Sequence, residues 1–324
     1  MKRLQFVLAS CVLAFTSLGA IAQETFPSKP IRVLIPFAAG GAVDTMIRAM
    51  SQELQNQLGG QAIVVENKPG GGAQIAAAAL MQAPADGYTV MAAEVGTFSV
   101  NPTLYPKLSY QPVRDFEGLA MLARTPMVMY GSPKGKVKSL QVLKDALANG
   151  TPLTYGSFGS GTAPHLLGHL LAKGSAKPDL THVPYKGAPP AFQAMMANEI
   201  DLLFDGVPGT LNMMRSGHAV PLAIAASKRS EFLPQVPTTA EIGYPALSMD
   251  LWIGVVARKG TPPAVASALS AAFEKAITSP AVWKRFADLG FSRDAMTPAQ
   301  FNAYLKSEID RFRPIVLDSG ASVD

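Results

Sequence analysis

From Ile31 onward the chain alternates apolar runs of strand length with amphipathic stretches of helical period, and this alternation restricts the fold more than any other feature. Residues 31–36 read as a buried strand. Residues 42–58 read as a helix, with Met46, Ala49, Met50, Glu53 and Leu54 at helical spacing. A strand over 62–66, a helix over 73–82 and a strand over 88–93 complete a βαβαβ order, which requires a parallel, doubly wound sheet. Apolar strands at 117–122 and 127–130 flank Arg124-Thr125-Pro126. A second alternation then runs through strands at 153–157, 181–184, 201–204 and 219–226, with helices at 162–173, 190–198 and 208–216 between them. After a last strand at 251–257, the pattern is helical only, over 263–278, 281–289 and 298–318. There is no solenoid-period repeat and no low-complexity linker. The expected fold class is α/β, with two lobes joined by short crossings and a cleft beyond the carboxyl ends of their strands.

The N-terminus reads as an export signal. Lys2 and Arg3 form a basic start, residues 4–18 are mostly apolar, and Gly19-Ala20-Ile21-Ala22 supplies a small-residue cleavage pattern. Cleavage after Ala22 would make 1–22 the signal peptide and Gln23 the first mature residue. Leu8-Ala9-Ser10-Cys11 resembles a lipoprotein box, but cutting there would split the apolar segment. Cys11 is the only cysteine, so the mature chain would carry no disulfide, thiol nucleophile or thiolate metal site. Loss of Lys2 and Arg3 takes the formal charge from +5 to +3. No basic run interleaved with aromatics points to nucleic acid. No later stretch is long and apolar enough to span a bilayer. The destination read from these features is an exported aqueous compartment, most simply a periplasm.

Two turns share one physical form: a strand, then small residues, then a helix start. The first runs from Phe37 through Ala38, Ala39, Gly40 and Gly41 to Asp44. The second contains Gly156, Ser157, Phe158, Gly159, Ser160, Gly161 and Thr162. A helix start offers unpaired N–H groups and partial positive charge, so it holds an anion without a cationic side chain. Glycine lets backbone approach a ligand closely. The same turns would also serve as plain βα connections, with Asp44 or Thr162 capping the following helix.

Competing chemistries fail on spacing. Gly70-Gly71-Gly72 follows a strand, but Ile75 stands where a dinucleotide fingerprint needs its last glycine. No phosphate-binding G-x-x-x-x-G-K-[ST] and no G-x-S-x-G nucleophile turn occurs. His165 and His169 share a helix face, but Leu166 follows where a zinc protease needs glutamate, and no third ligand is evident. The reading therefore contains no cofactor, no metal and no catalytic residue.

The ordered blocks "FPSKPIRVLIPFAAGGAVD", "VVENKPGGGAQIAAAALMQAPADGYTV", "NPTLYPKLSYQPVRDF", "YGSFGSGTAPHL", "HVPYKGAPPAFQAMMANEIDLLFD", "PQVPTTAEIGYP" and "GTPPAVASALSAAF" cover nearly all of the mature chain. Together they resemble the periplasmic solute receptors of tripartite tricarboxylate transporters, the Bug family. The resemblance implies a two-lobed periplasmic binding protein of type II, monomeric, each lobe a doubly wound, mostly parallel sheet with flanking helices. Lobe 1 would comprise 23–125 and 250–324, and lobe 2 would comprise 126–249. It implies a receptor that takes a small organic anion, often a carboxylate, to membrane transporter subunits.

Matching the family's motifs places Phe37, Ala38, Ala39, Gly40, Gly41, Asp44, Gly96 and Thr97 on the lobe 1 side of the site. Ser157, Phe158, Gly159, Ser160, Gly161, Thr162, His165, Tyr185, Lys186 and Asp205 fall at or near the lobe 2 side. Backbone amides, hydroxyls and waters would hold the carboxylate. The chain departs from the family pattern at Phe98, where histidine is frequent, at Phe158, where a small residue is frequent, and at Glu94, in a stretch usually without charge. Phe158 in the cleft would favour ligands with an apolar portion over citrate, and Lys186 would be the one nearby cation. The rival functions are an exported small-molecule hydrolase and a receptor that presents its ligand to a membrane sensor.

Overall fold

The computed structural model describes residues 26–40 and 42–323. The cleavage site after Ala22, the box ending at Cys11 and the expectation for Gly41 lie outside the described residues.

The first half of the chain runs β1 (Ile31–Ile35), α1 (Ala42–Gln57), β2 (Ile63–Asn67), α2 (Gln74–Gln82), β3 (Thr89–Glu94) and β4 (Phe116–Gly131). The middle runs α3 (Leu140–Asn149), β5 (Leu153–Ser157), α4 (Ala163–Gly174), β6 (Leu180–Pro184), α5 (Ala188–Met196), β7 (Leu203–Gly206), α6 (Val207–Arg215) and β8 (Val220–Ala225). The chain closes with β9 (Asp250–Arg258), α7 (Pro263–Thr278), α8 (Pro280–Asp288) and α9 (Pro298–Asp318). A π-helical turn over Gly96–Val100 and a one-turn helix, Asn101–Leu104, follow β3.

In the first lobe β1 lies between β2 and β3, all parallel. The strand β9 runs antiparallel beside β3, and the N-terminal part of β4 runs antiparallel beside β9. In the second lobe the C-terminal part of β4 carries β7 and β8 as antiparallel neighbours. The parallel pair β5–β6 meets this sheet through a bridge between Tyr155 and Leu202. Each lobe is thus mostly parallel with one strand of opposite direction, and that strand enters from the other lobe.

The sequence pattern suggests two strands either side of Arg124-Thr125-Pro126, but the structure has one, 16 residues long. Proline lacks a donor and is expected to end a ladder. Here Pro126 stands where the strand changes partners, from β9 to β7 and β8, and extended backbone suits its φ. The return crossing pairs with it: Thr125 opposes Leu251 and Pro126 opposes Asp250. Arg124 bonds both Asp250, at 3.3 Å, and Asp294, at 2.6 Å, so charge and ladder hold this waist together. Helix α3 also lacks a counterpart in the sequence reading, although Ser139 caps its first turn and Gly150 ends it at φ 69°.

The core that joins the lobes contains Trp252 and one face of α9: Phe301, Leu305, Phe312 and Val316. Trp252 is fully buried, edge-on to Phe301 at 5.8 Å between ring centroids, and it is a packing residue. Phe301 fits because Gly118 and Gly254, on neighbouring strands, leave a slot; a Cβ on either would come within 2.6 Å of its ring. A capping box between Thr297 and Gln300 starts α9. At its far end Asp318 pairs with His169, at 2.7 Å, and with Lys173, at 2.8 Å, both on α4. The terminal helix therefore touches both lobes.

Candidate ligand-binding cleft

The carboxyl ends of β1, β3 and β5 converge on two adjoining cavities between the lobes, of about 360 Å³ and about 290 Å³. Phe37, Glu94, Gly96 and Thr162 line both. The larger also takes Ala38, Gly72, Thr97, Asn101, Tyr105, Ser160 and Gly161. The smaller has an apolar wall of Val100, Met127, Phe158, Met249 and Leu251. Both lobes contribute to each cavity. A depression of about 530 Å³, with Tyr105, Arg114, Lys306 and Asp310 in its walls, lies on the first lobe alone and away from the strand ends.

The two glycine turns are built differently from the sequence expectation. In the first, the N–H of Gly40, at φ 86°, donates to Asp44 at 2.9 Å. Asp44 is buried and also accepts from Arg48, at 2.9 Å, and Asn67, at 3.0 Å. These donors hold its carboxyl below the usual range against the opposing effect of burial. The Gly40 amide is therefore committed to folding the start of α1. Ala39, Gly40 and Asp44 do not line either cavity, whereas Phe37 and Ala38 do.

The second turn leaves amides open. Gly161 donates to His165 Nδ1 at 3.0 Å, and Gly159 donates to Ser157 Oγ at 3.2 Å. The Thr162 hydroxyl donates back to the Gly159 carbonyl at 2.7 Å and so does not cap α4. The N–H groups of Ser160, Ala163 and His165 have no hydrogen-bond partner among the described residues. Thr162, Ala163 and Pro164 line the smaller cavity, so the uncapped start of a helix of 12 residues opens on the cleft.

His165 and Ser157 support this turn from behind. His165 is buried and stacks on His182 at 4.1 Å between centroids; Ser157 Oγ lies 2.6 Å from His182 Nε2. Burial, with His182 and His169 adding like charge, lowers the His165 pKa to about 4. Its ring is then neutral at pH 7, with Nδ1 accepting from Gly161 and the proton on Nε2. A folded pKa below the unfolded 6.5 means that this contribution is complete above pH 6.5 and is lost as pH falls toward 4. The ring protons of His165, followed by NMR, are expected to titrate near pH 4; a midpoint at an ordinary histidine value overturns the buried, neutral assignment.

Gly159, Tyr185, Lys186 and Asp205 also stay off the cavity walls. Tyr185 packs into a side core with Phe158 and Phe192, and Lys186 is exposed. Asp205 is next to last in β7, its carboxyl accepts one hydrogen bond among the described residues, from Gly206 at 2.8 Å, and burial raises its pKa to about 7. Of the two unusual aromatics, Phe98 is fully buried against Phe116 and Tyr110 and is packing. Phe158 faces the cleft while its edge meets Phe192.

The wall residues that the motif reading missed, among them Gly72, Val100, Tyr105, Met127, Met249 and Leu251, come from the loop after β2, the turn after β3 and the two crossings. Their common signal is position. Each lies just past a strand end or beside a crossing, where open α/β sheets place ligands.

The family model described as the tripartite tricarboxylate transporter family receptor matches residues 46–320. Protein BugT of Bordetella pertussis is 32% identical over 327 residues, covering 100% of this chain and 99% of its own. MatC from Rhodopseudomonas palustris, solved with bound malate, is 32% identical, with TM-score 0.77, over 90% of this chain and 100% of that one. A second R. palustris protein, solved with adipate, is 27% identical, with TM-score 0.81, over 92% of this chain and 99% of that one.

Proposed function

The chain belongs to the tripartite tricarboxylate transporter receptor family, and from that premise we propose that it captures a small carboxylate between its lobes and delivers it to membrane transporter subunits. The observation that carries this reading is the uncapped start of α4 inside the cleft, with open amides at Ser160 and Ala163 on the cavity walls. Those amides, with the hydroxyl of Ser160, suit a carboxylate in a site with no basic side chain among its described lining residues. Bound malate and adipate in the two R. palustris relatives agree with that chemistry. The apolar wall around Met127, Phe158 and Met249 suits a methylene-rich stretch behind the carboxylate.

In this reading lobe 1 is 23–125 with 250–324, lobe 2 is 126–249, and the paired crossings at Thr125 and Leu251 are the hinge. The receptor works outside the cytoplasmic membrane after removal of 1–22. A thermal-shift screen of mono-, di- and tricarboxylates, amino acids and aromatic acids tests it. A true ligand at a hundred times its dissociation constant adds about 2.7 kcal/mol to stability. If no carboxylate-bearing compound raises the melting temperature, the reading fails.

A further inference from the structure

We propose that Glu94 is a resident carboxylate that occupies the anion-binding amides of the first lobe, and that the cleft therefore selects a carboxylate ligand carrying a protonated nitrogen over a dicarboxylate. The inference rests on the carboxylate-receptor reading above and narrows its ligand class.

The geometry is local and specific. Glu94 ends β3, and its side chain curls over the turn that follows. Oε2 accepts the N–H of Gly96 at 2.7 Å and Oε1 accepts the N–H of Thr97 at 2.6 Å. Two short bonds from adjacent amides to the two oxygens of one carboxylate are how a turn of this kind would hold a ligand's carboxylate. Glu94 thus fills the first lobe's anion subsite with a group of the chain itself.

Glu94 also remains part of the cavity wall. It lines both cavities and is the one charged side chain among their described lining residues. It makes no ion pair with any described residue. Burial pushes the Glu94 carboxyl above the usual carboxylate range, with the Gly96 and Thr97 amides opposing it, so a ligand that displaces its remaining water sustains the charged form only if it brings the opposite charge. A second ligand carboxylate would add like-charge repulsion at close range in a low-dielectric site. An ammonium group instead supplies donors and the opposite charge. The far end of the same ligand then has its carboxylate at the start of α4, where Ser160 and Ala163 present open amides. The cleft is polarised: acidic on the β3 side and donor-rich on the α4 side.

Titration calorimetry on the mature wild-type protein tests this with matched acids that differ only at one end. The ω-amino, ω-methyl and ω-carboxy acids of equal methylene count, together with the standard α-amino acids and their deaminated counterparts, form the panel. Wild type is expected to bind an aminated acid at least about tenfold tighter than the matched methyl acid or diacid. Glu94→Gln keeps an acceptor for one amide and removes the charge; it should reduce that preference at least about tenfold. Glu94→Ala frees both amides and should improve diacid binding. A wild type that prefers malate, adipate or any other diacid overturns the inference and leaves the receptor reading standing. An unchanged preference in both variants does the same. If no compound binds wild type or either variant, the receptor reading itself fails, and this inference with it.

Discussion

Gly161→Val is expected to leave the chain folded and to weaken ligand binding about a hundredfold or more. Gly161 sits on the lobe 2 turn at φ 76°, where a β-branched residue is strongly disfavoured. A Cβ there would also lie 2.4 Å from Leu104 Cδ2 and 2.9 Å from Leu104 Cδ1. Leu104 belongs to the short helix after β3, in the other lobe, and is buried in the shared core. The clash therefore acts across the cleft. Relief requires either a turn of the buried Leu104 side chain or separation of the lobes, and the second works against the closed form. About 3 kcal/mol directed against the closed form reduces its population, and with it the apparent affinity, by about two orders of magnitude. Calorimetry reports the affinity and small-angle scattering the fraction closed. Leu104→Ala in the same chain should recover the steric part and leave the backbone part. Unchanged affinity in Gly161→Val would mean that the two cavities between the lobes do not hold the ligand.

The layout of both lobes was readable because buried strands and amphipathic helices have different periods. Residues 31–36 and 153–157 read as strands, and the structure has strands at Ile31–Ile35 and Leu153–Ser157. What the periods do not carry is where a ladder changes partner, so β4 reads as two strands split by Pro126. The glycine turns were readable as turns, but not the fate of their amides. Asp44 stands four residues after Gly40, His165 four after Gly161, and Glu94 two before Gly96; each captures an N–H of its turn. The usable signal is an acceptor side chain within about four residues of an apparently bare glycine. By that criterion the turn after β5 still offers open amides at Ser160 and Ala163, while the turns after β1 and β3 have Gly40, Gly96 and Thr97 engaged. Cross-strand neighbours such as Met127, Met249 and Leu251 enter the wall only through the register of the two crossings, which sequence spacing does not encode.

Asp205→Asn is expected to become progressively more stable than wild type as pH rises from 5 to 8. Asp205 stands next to last in β7, opposite Val128 on β4, with a single amide donor among the described residues, from Gly206. A Cβ on Gly209 would fall 1.7 Å from its Oδ2, so the first turn of α6 closes tightly over the carboxyl. Burial raises its pKa from 3.8 to about 7, and the Gly206 bond only partly opposes that. An acid whose folded pKa lies above its unfolded value contributes fully below the unfolded value and loses that contribution as pH rises through the folded one. The window is therefore pH 4 to 7, with a plateau above it. Between pH 5 and 8 the change in the variant–wild-type difference is about 2–3 kcal/mol. His165 has the opposite slope over nearly the same range, since its folded pKa is depressed to about 4. The two partly cancel in the pH profile of the wild type, so only the difference between variant and wild type isolates Asp205. Denaturant melts of both proteins at pH 5, 6, 7 and 8 measure it. A difference that stays flat across that range would show that Asp205 is ionised throughout, solvated at the cleft side of the second lobe instead of enclosed by α6.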